Sequence, residues 1–418
     1  MGRVLAPNDL RDAPAPATAS PIEALTRAFG GLSLVLAFGA LFLAHASDPP
    51  GLVFDELHYV PAAKALAQLS GDLNWEHPPL AKWILGLGGR LLADGLRLVP
   101  EPGVYRIITA AFGLWALLSV AGFLRDLGFA EWATQSAVWL TGLNFLWFVQ
   151  SRTAMLDVFS VAFALAGLRR VRRGGPGIGP FIGWAALGLA MACKWSAAPF
   201  CILAVFWARA PMRRRAAGVT VAIVAYVLPF LPLALLARDA TPVSAIATYQ
   251  VRMLQGFGAV DLGPHPYASR FWQWPTLLRP MWYHFEHSAA GERYVWAGGN
   301  PLLFACALPA TVWIAVCALR RRAPEADRAV ALLYWAPLVF WAVMTRMQVY
   351  YYFLPCSLWL GPAVVWAVLR LAGQRARMAL ILLTTACAAL FIWFSPIFDG
   401  RLEPAGTYER YMWLVRWR

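Results

Sequence analysis

Apolar segments long enough to form membrane-spanning helices recur along most of this chain. Because a helix needs about 20 apolar residues to cross the hydrocarbon core of a bilayer, we interpret eleven windows as candidate spans. They cover approximately residues 27–46, 104–124, 131–149, 153–168, 180–192, 196–208, 217–237, 301–319, 330–345, 348–369 and 378–395. Two windows are short, and the block 180–208 also fits one long helix. The pattern predicts an all-α polytopic membrane protein with about eleven transmembrane helices.

The polar segments divide the chain around these windows. Residues 1–26 are rich in proline, alanine and charge, which is typical of a disordered tail. Window 27–46 is too long for a signal-peptide core, so we expect it to be retained. The transmembrane domain then covers 27–395, with long loops at 47–103 and 238–299 and a tail at 396–418.

Composition and charge support a membrane location. Of 418 residues, 60% are hydrophobic and 14% are charged, and the net charge is +14. A soluble domain carries about a quarter charged residues. Arginine clusters at 169–173, 209–215, 320–322 and 370–377 fall on one side if the N-terminal tail is cytoplasmic, in agreement with the positive-inside rule. The expected partner is therefore a lipid bilayer rather than nucleic acid.

The two long loops and the chain end then lie on the extracytoplasmic face, where we expect the chemistry. Tryptophans and tyrosines are frequent there, and each is most simply interpreted as part of an interfacial aromatic belt. They include Trp272, Trp274, Trp282, Tyr283, Trp296, Trp413 and Trp417.

Common catalytic motifs are missing from the sequence. Lysine occurs only at positions 64, 82 and 194, and none precedes Ser or Thr, so there is no phosphate-binding P-loop. HExxH, GxSxG and complete GxGxxG motifs do not occur either. The six cysteines show no paired spacing, which gives no indication of a disulfide framework or a thiolate metal site.

Charged residues at the extracytoplasmic ends of apolar windows are the candidate site. The adjacent carboxylates of Asp55 and Glu56 are costly to desolvate and are suited to a proton or a cation. Alone, such a pair is more often a solvated helix cap. The segment from His77 to Lys82, with two prolines, places an ammonium near headgroup depth, where it suits a lipid phosphate or simply snorkels.

Further charges recur at two later helix ends. Arg152 begins a helix, and Asp157 lies within an apolar stretch, where a carboxylate needs a partner. Lys194 lies between two short apolar segments on the same face. His284, Glu286 and His287 provide too few donors on one face for a metal site. The tyrosines from Tyr350 to Tyr352 fit either the belt or a sugar pocket.

Together these motifs resemble the protein O-mannosyltransferase family, in the family's order over about residues 50–360. The matching segments are Asp55-Glu56, His77-Pro78-Pro79-Leu80-x-Lys82, Arg152 with Leu156-Asp157, Cys193-Lys194-Trp195, His265-Pro266-Tyr267-Ala268-Ser269-Arg270, Trp274-Pro275, Gly299-Asn300-Pro301 and Tyr350 to Pro355. Loop 238–299 is too short for the β-trefoil (MIR) domain of eukaryotic members, so the chain resembles the short bacterial type. Ala81 and Ser196-Ala197 depart from the Gly and Val-Gly expected there, which puts the exact shape of the donor pocket in doubt.

The resemblance implies a GT-C fold and an inverting transfer of mannose from polyprenyl phosphate to Ser or Thr of exported proteins. It implies that Asp55 is the base with Glu56 beside it, and that Arg152, Lys194 and Lys82 bind the donor phosphate. Asp157 would hold Arg152 or the sugar, and the rest of the donor or acceptor pocket would comprise His77, His265, Arg270, Asn300, Arg346, Tyr350 and Tyr351. No cofactor is expected, and a divalent cation is not favoured.

The implied location is the cytoplasmic (inner) membrane, with association with the protein-export machinery as a further expectation. Three other interpretations stay open. One is a GT-C enzyme that transfers the sugar to lipid A or another glycolipid. The second is a transporter or lipid flippase, which inverted repeats would favour; none is evident. The third is a structural scaffold, which gives no reason for so many polar motifs on one face.

Overall fold

The computed structural model describes residues 21–95, 99, 101–237, 240–259 and 265–418, and most of the described chain is helical. The helices of the first half are α1 (Pro21–Leu43), α2 (Glu56–Ala67), α3 (Leu80–Gly89), α4 (Gly103–Asp126), α5 (Glu131–Gly142), α6 (Phe145–Ser151), α7 (Leu156–Arg173), α8 (Gly179–Cys193) and α9 (Ala198–Trp207). Those of the second half are α10 (Met212–Val227), α11 (Leu231–Leu236), α12 (Pro242–Ala259), α13 (Pro301–Ala318), α14 (Glu325–Ala342), α15 (Leu354–Ser357), α16 (Leu360–Leu371) and α17 (Ala376–Phe394).

Every apolar window of the sequence contains helix, but the number of spans is not confirmed. Within the described residues, five stretches are long and apolar enough to cross a membrane, or six if the pair Tyr350–Ser357 and Leu360–Leu371, bent by 48°, is one span. Window 131–149 breaks between α5 and α6, and α8 and α9 are short. Polar ends and breaks therefore shorten several windows. The predicted tail 1–26 lies mostly outside the described residues, and its residues 21–26 belong to α1.

The bundle positions the site through close packing of α7 against α8. A Cβ on Gly167 of α7 would meet the Gly183 carbonyl oxygen at 2.6 Å, and a Cβ on Gly183 would meet that of Gly167 at 2.8 Å. Membrane helices lack a strong hydrophobic drive to associate, so small residues that allow close backbone contact stabilise such pairs. At the other end of this helix pair, the Ser160 hydroxyl of α7 lies within hydrogen-bond distance of the carbonyls of Ala190, at 3.1 Å, and Lys194, at 3.3 Å. The start of α7, which carries Asp157, therefore lies against the end of α8, which precedes Lys194.

A small antiparallel sheet, which the sequence analysis did not predict, covers part of the bundle. Its strands are β1 (Met281–Ser288), β2 (Gly291–Ala297) and β3 (Leu402–Glu403), in the order β1-β2-β3. The pairing of β1 with β2 is irregular between Trp282 and His284. Bulges of this kind redirect a side chain, and Tyr283 at this position stacks on Phe54 with ring centroids 4.3 Å apart.

The segment 396–418, predicted as an extracytoplasmic C-terminal tail, packs against the rest of the protein. The Trp417 indole donates a 2.8 Å hydrogen bond to the carbonyl of Leu277, and its ring lies 5.1 Å from that of Trp296 in β2. Several aromatic residues assigned to an interfacial belt therefore pack inside the protein, where Trp274 and Trp296 are fully buried.

Candidate active site

Asp55 lies immediately before α2, on the loop between α1 and α2. Its Oδ2 accepts hydrogen bonds from the hydroxyls of Tyr59 at 3.0 Å and Tyr351 at 3.4 Å. Phe54 has a positive φ of 48° and packs against Tyr283 and Tyr351, which fixes the turn before α2. The carboxylate is thus oriented by Tyr59 of the following helix α2 and by Tyr351, which is distant in sequence.

The surroundings of Asp55 favour a proton acceptor. Burial raises the pKa of the Asp55 carboxyl above its ordinary value, whereas the Lys194 ammonium and the Tyr59 hydroxyl act in the opposite direction. Burial raises the pKa of Tyr59 well above 10.0, so its hydroxyl stays protonated and donates to Asp55. A carboxylate with a raised pKa is a better base than a solvated one.

Lys194 and Asp157 form a buried ion pair with Nζ and Oδ2 2.6 Å apart. The Lys194 backbone is extended, at the break after α8. Its ammonium lies 5.0 Å from the ring centroid of Tyr351 and 5.7 Å from that of Tyr352. Tyr351 therefore contacts Asp55 through its hydroxyl and Lys194 through its ring, which brings three predicted site residues into one cluster. The partner of Asp157 is Lys194 rather than Arg152.

His77 adjoins this cluster. Its ring packs edge-on against Tyr59 with centroids 5.8 Å apart. Burial, together with the nearby cations Lys194, Lys82 and Arg346, lowers the pKa of His77 well below 6.5. The imidazole is therefore neutral at pH 7 and provides one hydrogen-bond donor and one acceptor.

Glu56 faces away from Asp55, although the two are adjacent in sequence. Its Oε1 accepts from the backbone N–H of Ala154 at 2.9 Å, and its Oε2 accepts from that of Val53 at 2.9 Å. Both oxygens also bind the guanidinium of Arg106. The side chain is fully buried. Its geometry supports a structural role in holding the Asp55 loop rather than contact with a substrate.

Two of the three predicted phosphate ligands, Lys82 and Arg152, contact other protein groups instead of Asp55. Lys82 is fully buried and donates to the Asp72 carboxylate at 2.6 Å and to the carbonyls of Asn74 and His77. Because an ammonium has three N–H donors, these contacts leave none for a phosphate. Arg152 is also buried; it donates to the carbonyl of His45 and lies over the Phe148 ring at 5.0 Å. Of the three predicted ligands, Lys194 is therefore the one that lies in the cluster with Asp55.

Three further predicted residues lie around a different opening. Arg270 and Arg346 line one cavity of about 210 Å³, formed by residues 268–270, 273 and 345–348. His265 precedes this segment, and its Nδ1 accepts from the backbone N–H of Tyr267 at 3.2 Å. Arg346 also lies over the Tyr352 ring at 5.7 Å, so the cavity adjoins the aromatic side of the Asp55 cluster.

Two predicted pocket residues are internal. Asn300 caps α13 through the N–H of Leu303 and donates to the Cys387 carbonyl at 2.8 Å. Tyr350 is fully buried beside Phe353. These positions support the helix ends around the site and do not join Asp55.

Arg106 is the principal residue that sequence reasoning missed. Its five N–H donors bind both Glu56 oxygens and the carbonyls of Ala46, Pro49 and Gly51. Arg106 therefore fixes both ends of the loop that presents Asp55. A lone arginine near the start of an apolar window was an available signal, because charge at that depth needs a partner. Tyr59 was detectable one helical turn after Asp55.

The remaining metal-ligating residue types and the larger cavity of the described chain lie apart from the Asp55 cluster. No group of three or more His, Cys, Asp or Glu in the described part of the chain is arranged to hold a metal ion. His284 and His287 lie against different carboxylates, Glu286 and Glu292. Another cavity of about 570 Å³ lies between α2, α3 and α4 and is lined by Lys64, Arg90, Glu101 and their neighbours, so it is separate from the Asp55 cluster.

Comparison with solved structures defines the class of fold. The chain is similar to the Saccharomyces cerevisiae protein O-mannosyltransferase Pmt1-Pmt2 complex bound to the sugar donor, with a TM-score of 0.75, 13% identity and coverage of 96% of this chain and 93% of that one. It is also similar to ArnT from Cupriavidus metallidurans bound to undecaprenyl phosphate, with a TM-score of 0.57, 18% identity and coverage of 88% and 64%. The architecture is therefore the GT-C fold.

Sequence comparison gives a narrower similarity within that class. The family model described as the C-terminal four TMM region of protein-O-mannosyltransferase matches residues 243–417. Proteins named polyprenol-phosphate-mannose–protein mannosyltransferase are similar over nearly the full chain. The one from Mycolicibacterium smegmatis is 25% identical over 94% of this chain and 93% of its own, and the one from Corynebacterium glutamicum is 24% identical over 92% of each. The chain is therefore similar in sequence to polyprenol-phosphate-mannose–protein mannosyltransferases over nearly its full length, and its C-terminal part matches the protein O-mannosyltransferase family model.

Proposed function

We propose that this protein transfers mannose from a polyprenyl-phosphate donor to Ser or Thr hydroxyls of exported polypeptides, with inversion at the anomeric carbon. The donor and acceptor classes come from the names of the relatives that match over most of the chain. The observation that carries the assignment to particular residues is the contact of Tyr351 with both Asp55 and Lys194. This contact supports a proton acceptor, Asp55, and a phosphate-binding cation, Lys194, beside one aromatic side chain.

The proposed reaction is a single displacement. The acceptor oxygen forms a bond to the anomeric carbon as the bond from that carbon to the phosphate oxygen breaks. Asp55 takes the hydroxyl proton, and polyprenyl phosphate leaves with the electron pair. A hydrogen bond from Tyr351 or Tyr59 keeps the carboxylate oriented during the attack. General-base catalysis of this type contributes about 10²- to 10⁴-fold to the rate.

Lys194 stabilises the leaving group. As the glycosidic bond lengthens, negative charge grows on the phosphate, and a fixed cation stabilises that transition state more than the ground state. Asp157 holds the ammonium at 2.6 Å and limits its movement. This arrangement provides charge stabilisation with protein side chains, so the proposal includes no metal ion.

The active site opens on the extracytoplasmic face of the cytoplasmic (inner) membrane in this proposal. The arginine clusters mark the opposite face, where Arg169 and Arg173 both bind Asp126. Exported acceptor polypeptides would reach the extracytoplasmic face unfolded, which suits association with the protein-export machinery.

The test incubates the purified protein with radiolabelled polyprenyl-phosphate mannose, a Thr-containing peptide, lipid A and a chelator. We expect label on the peptide hydroxyl, with the anomeric configuration opposite to that of the donor. Transfer to lipid A in place of the peptide would support the glycolipid alternative. Loss of transfer with the chelator and its return with a divalent cation would contradict the metal-free reaction.

A further inference from the structure

The cavity lined by Arg270 and Arg346 carries two guanidinium groups, and no acidic residue is among the described residues that line it. Its remaining lining is neutral and consists of Ala268, Ser269, Gln273, Thr345, Met347 and Gln348. Arg270 is exposed and Arg346 is half-buried. A concave surface with this charge is suited to a carboxylate or a phosphate, since the planar guanidinium donates paired hydrogen bonds to such groups.

The walls of the cavity are held in place by a buried glutamine. The Gln348 carbonyl accepts from the N–H of Ser269 at 2.8 Å, and its Oε1 accepts from the N–H of Phe271 at 3.1 Å. Its Nε2 donates to the Trp341 carbonyl at 2.7 Å. These contacts join the two loop segments, so both arginines project from a fixed frame rather than from a flexible loop.

The position of the cavity relative to Asp55 suggests which anion it accepts. Arg346 lies 5.7 Å from the Tyr352 ring, Tyr352 lies 4.7 Å from Tyr351, and Tyr351 reaches Asp55. In the proposed reaction, the leaving phosphate must lie within the length of one sugar ring from Asp55. Lys194 is the residue proposed to bind the phosphate at that distance. Arg346 and Lys194 each lie 5.7 Å from the centroid of the Tyr352 ring, so the two cations are at most twice that distance apart. This is a span of about three residues of extended polypeptide at ~3.3–3.6 Å each.

We propose that the Arg270–Arg346 cavity binds an acidic side chain of the acceptor polypeptide, two to four residues from the Ser or Thr that receives the sugar. The inference rests on the proposed function, and it makes this enzyme selective for hydroxyls with a neighbouring Asp or Glu. A cavity of about 210 Å³ suits one side chain, and it is below the roughly 300–1,000 Å³ of sites that enclose a whole small molecule.

The test measures KM and kcat for two series of peptides, each with a single Thr. One series carries Glu at one position two to four residues before or after the Thr, and the other carries Gln at the same position. We expect the best Glu peptide to have a KM about tenfold lower than its Gln partner, which is the order expected for a charge-assisted hydrogen bond at a partly exposed site. The difference should shrink at high salt.

Substitutions in the cavity test whether the preference for the Glu peptide depends on Arg270 and Arg346. Arg270→Gln and Arg346→Gln should each raise KM for the Glu peptide towards that of the Gln peptide, with little change in the donor KM. Arg270→Lys should restore part of the preference. Arg410→Gln removes an exposed arginine elsewhere in the chain and should keep the full preference.

Each other result overturns the inference. Equal KM values for the two peptides in the wild-type protein would refute an acidic subsite while leaving mannosyl transfer intact. A rise in the donor KM of the arginine variants would assign the cavity to the lipid phosphate. Failure of the wild-type protein to transfer mannose to either peptide would contradict the proposed function itself.

Discussion

Glu56 and Arg106 form a bidentate ion pair inside the protein, with distances of 3.0 Å from Nε to Oε1 and 2.8 Å from Nη2 to Oε2. Both side chains are almost completely buried. Because Arg106 also binds three carbonyls of the loop before Asp55, the pair determines where Asp55 lies. The two adjacent acids therefore have different surroundings: Glu56 holds the loop through Arg106, and Asp55 faces the candidate site.

Breaking this pair should destabilise the protein. Removing one partner of a buried ion pair leaves an uncompensated charge and costs about 3–5 kcal/mol. We therefore expect Glu56→Gln and Arg106→Met to lower the thermal unfolding midpoint strongly, as measured with purified protein in detergent. Glu131→Gln breaks a similar bidentate pair with Arg125 that is partly exposed, and it should cost much less. Equal losses in the three variants would contradict the structural role of Glu56.

The pH dependence of transfer should report Asp55. The base must be ionised, and burial raises the pKa of Asp55 above 3.8, so kcat/KM should fall as the pH decreases through a value above 3.8. The hydrogen bond from Tyr59 acts to lower that pKa. Tyr59→Phe should therefore move the acid limb of the profile to higher pH. An acid limb that does not move would show that Tyr59 does not act on the catalytic carboxylate.

Donor binding should depend on Lys194 and not on Arg152. Lys194 lies in the cluster with Asp55, and a hydrogen bond to a charged group contributes about 1.5–3 kcal/mol. We expect the double variant Lys194→Met/Asp157→Asn, which removes both charges of the ion pair, to bind polyprenyl-phosphate mannose at least tenfold more weakly. Lys64→Gln, which removes a partly exposed lysine paired with Glu101, is the control and should bind normally. If Arg152→Met bound polyprenyl-phosphate mannose more weakly and the Lys194 double variant bound it normally, Arg152 and not Lys194 would be the phosphate ligand.

Lys82 should act on stability rather than on substrate affinity. Its ammonium closes the loop between α2 and α3 through Asp72 and two carbonyls. We expect Lys82→Met to lower the unfolding midpoint and to leave the donor Kd of the folded fraction unchanged. A selective loss of donor affinity at normal stability would contradict this assignment.

The sequence was informative where apolar patterns extend over many residues and where a charge lies at membrane depth, because burying that charge has a high free-energy cost. Apolar windows predicted the positions of the helices, and the order of the motifs predicted the similarity to protein O-mannosyltransferases. Asp157 was identified as needing a partner because a carboxylate at membrane depth is expensive. The identity of that partner, Lys194, depends on the close contact of α7 with α8, which no local pattern specifies.

Side-chain direction and loop path were not predictable in the same way. Asp55 and Glu56 are equivalent acids in the sequence, and only the position of Arg106 distinguishes them. Lys82 was predicted to bind the donor phosphate because no local pattern reveals its acceptor Asp72, which lies ten residues away across a loop with two prolines. The sheet was detectable in part, since Met281–Ser288 and Gly291–Ala297 are aromatic segments joined by two residues. The aromatic-belt interpretation obscured that signal.

The most direct test of the account is mannosyl transfer by Asp55→Asn beside the wild-type protein, with donor binding and unfolding measured on the same samples. Because burial favours the uncharged form of Asp55, the variant should unfold at the same or a higher temperature. We predict that it binds the polyprenyl-phosphate sugar normally and transfers it about 10²- to 10⁴-fold more slowly. Transfer by a folded Asp55→Asn protein at the wild-type rate would contradict the account.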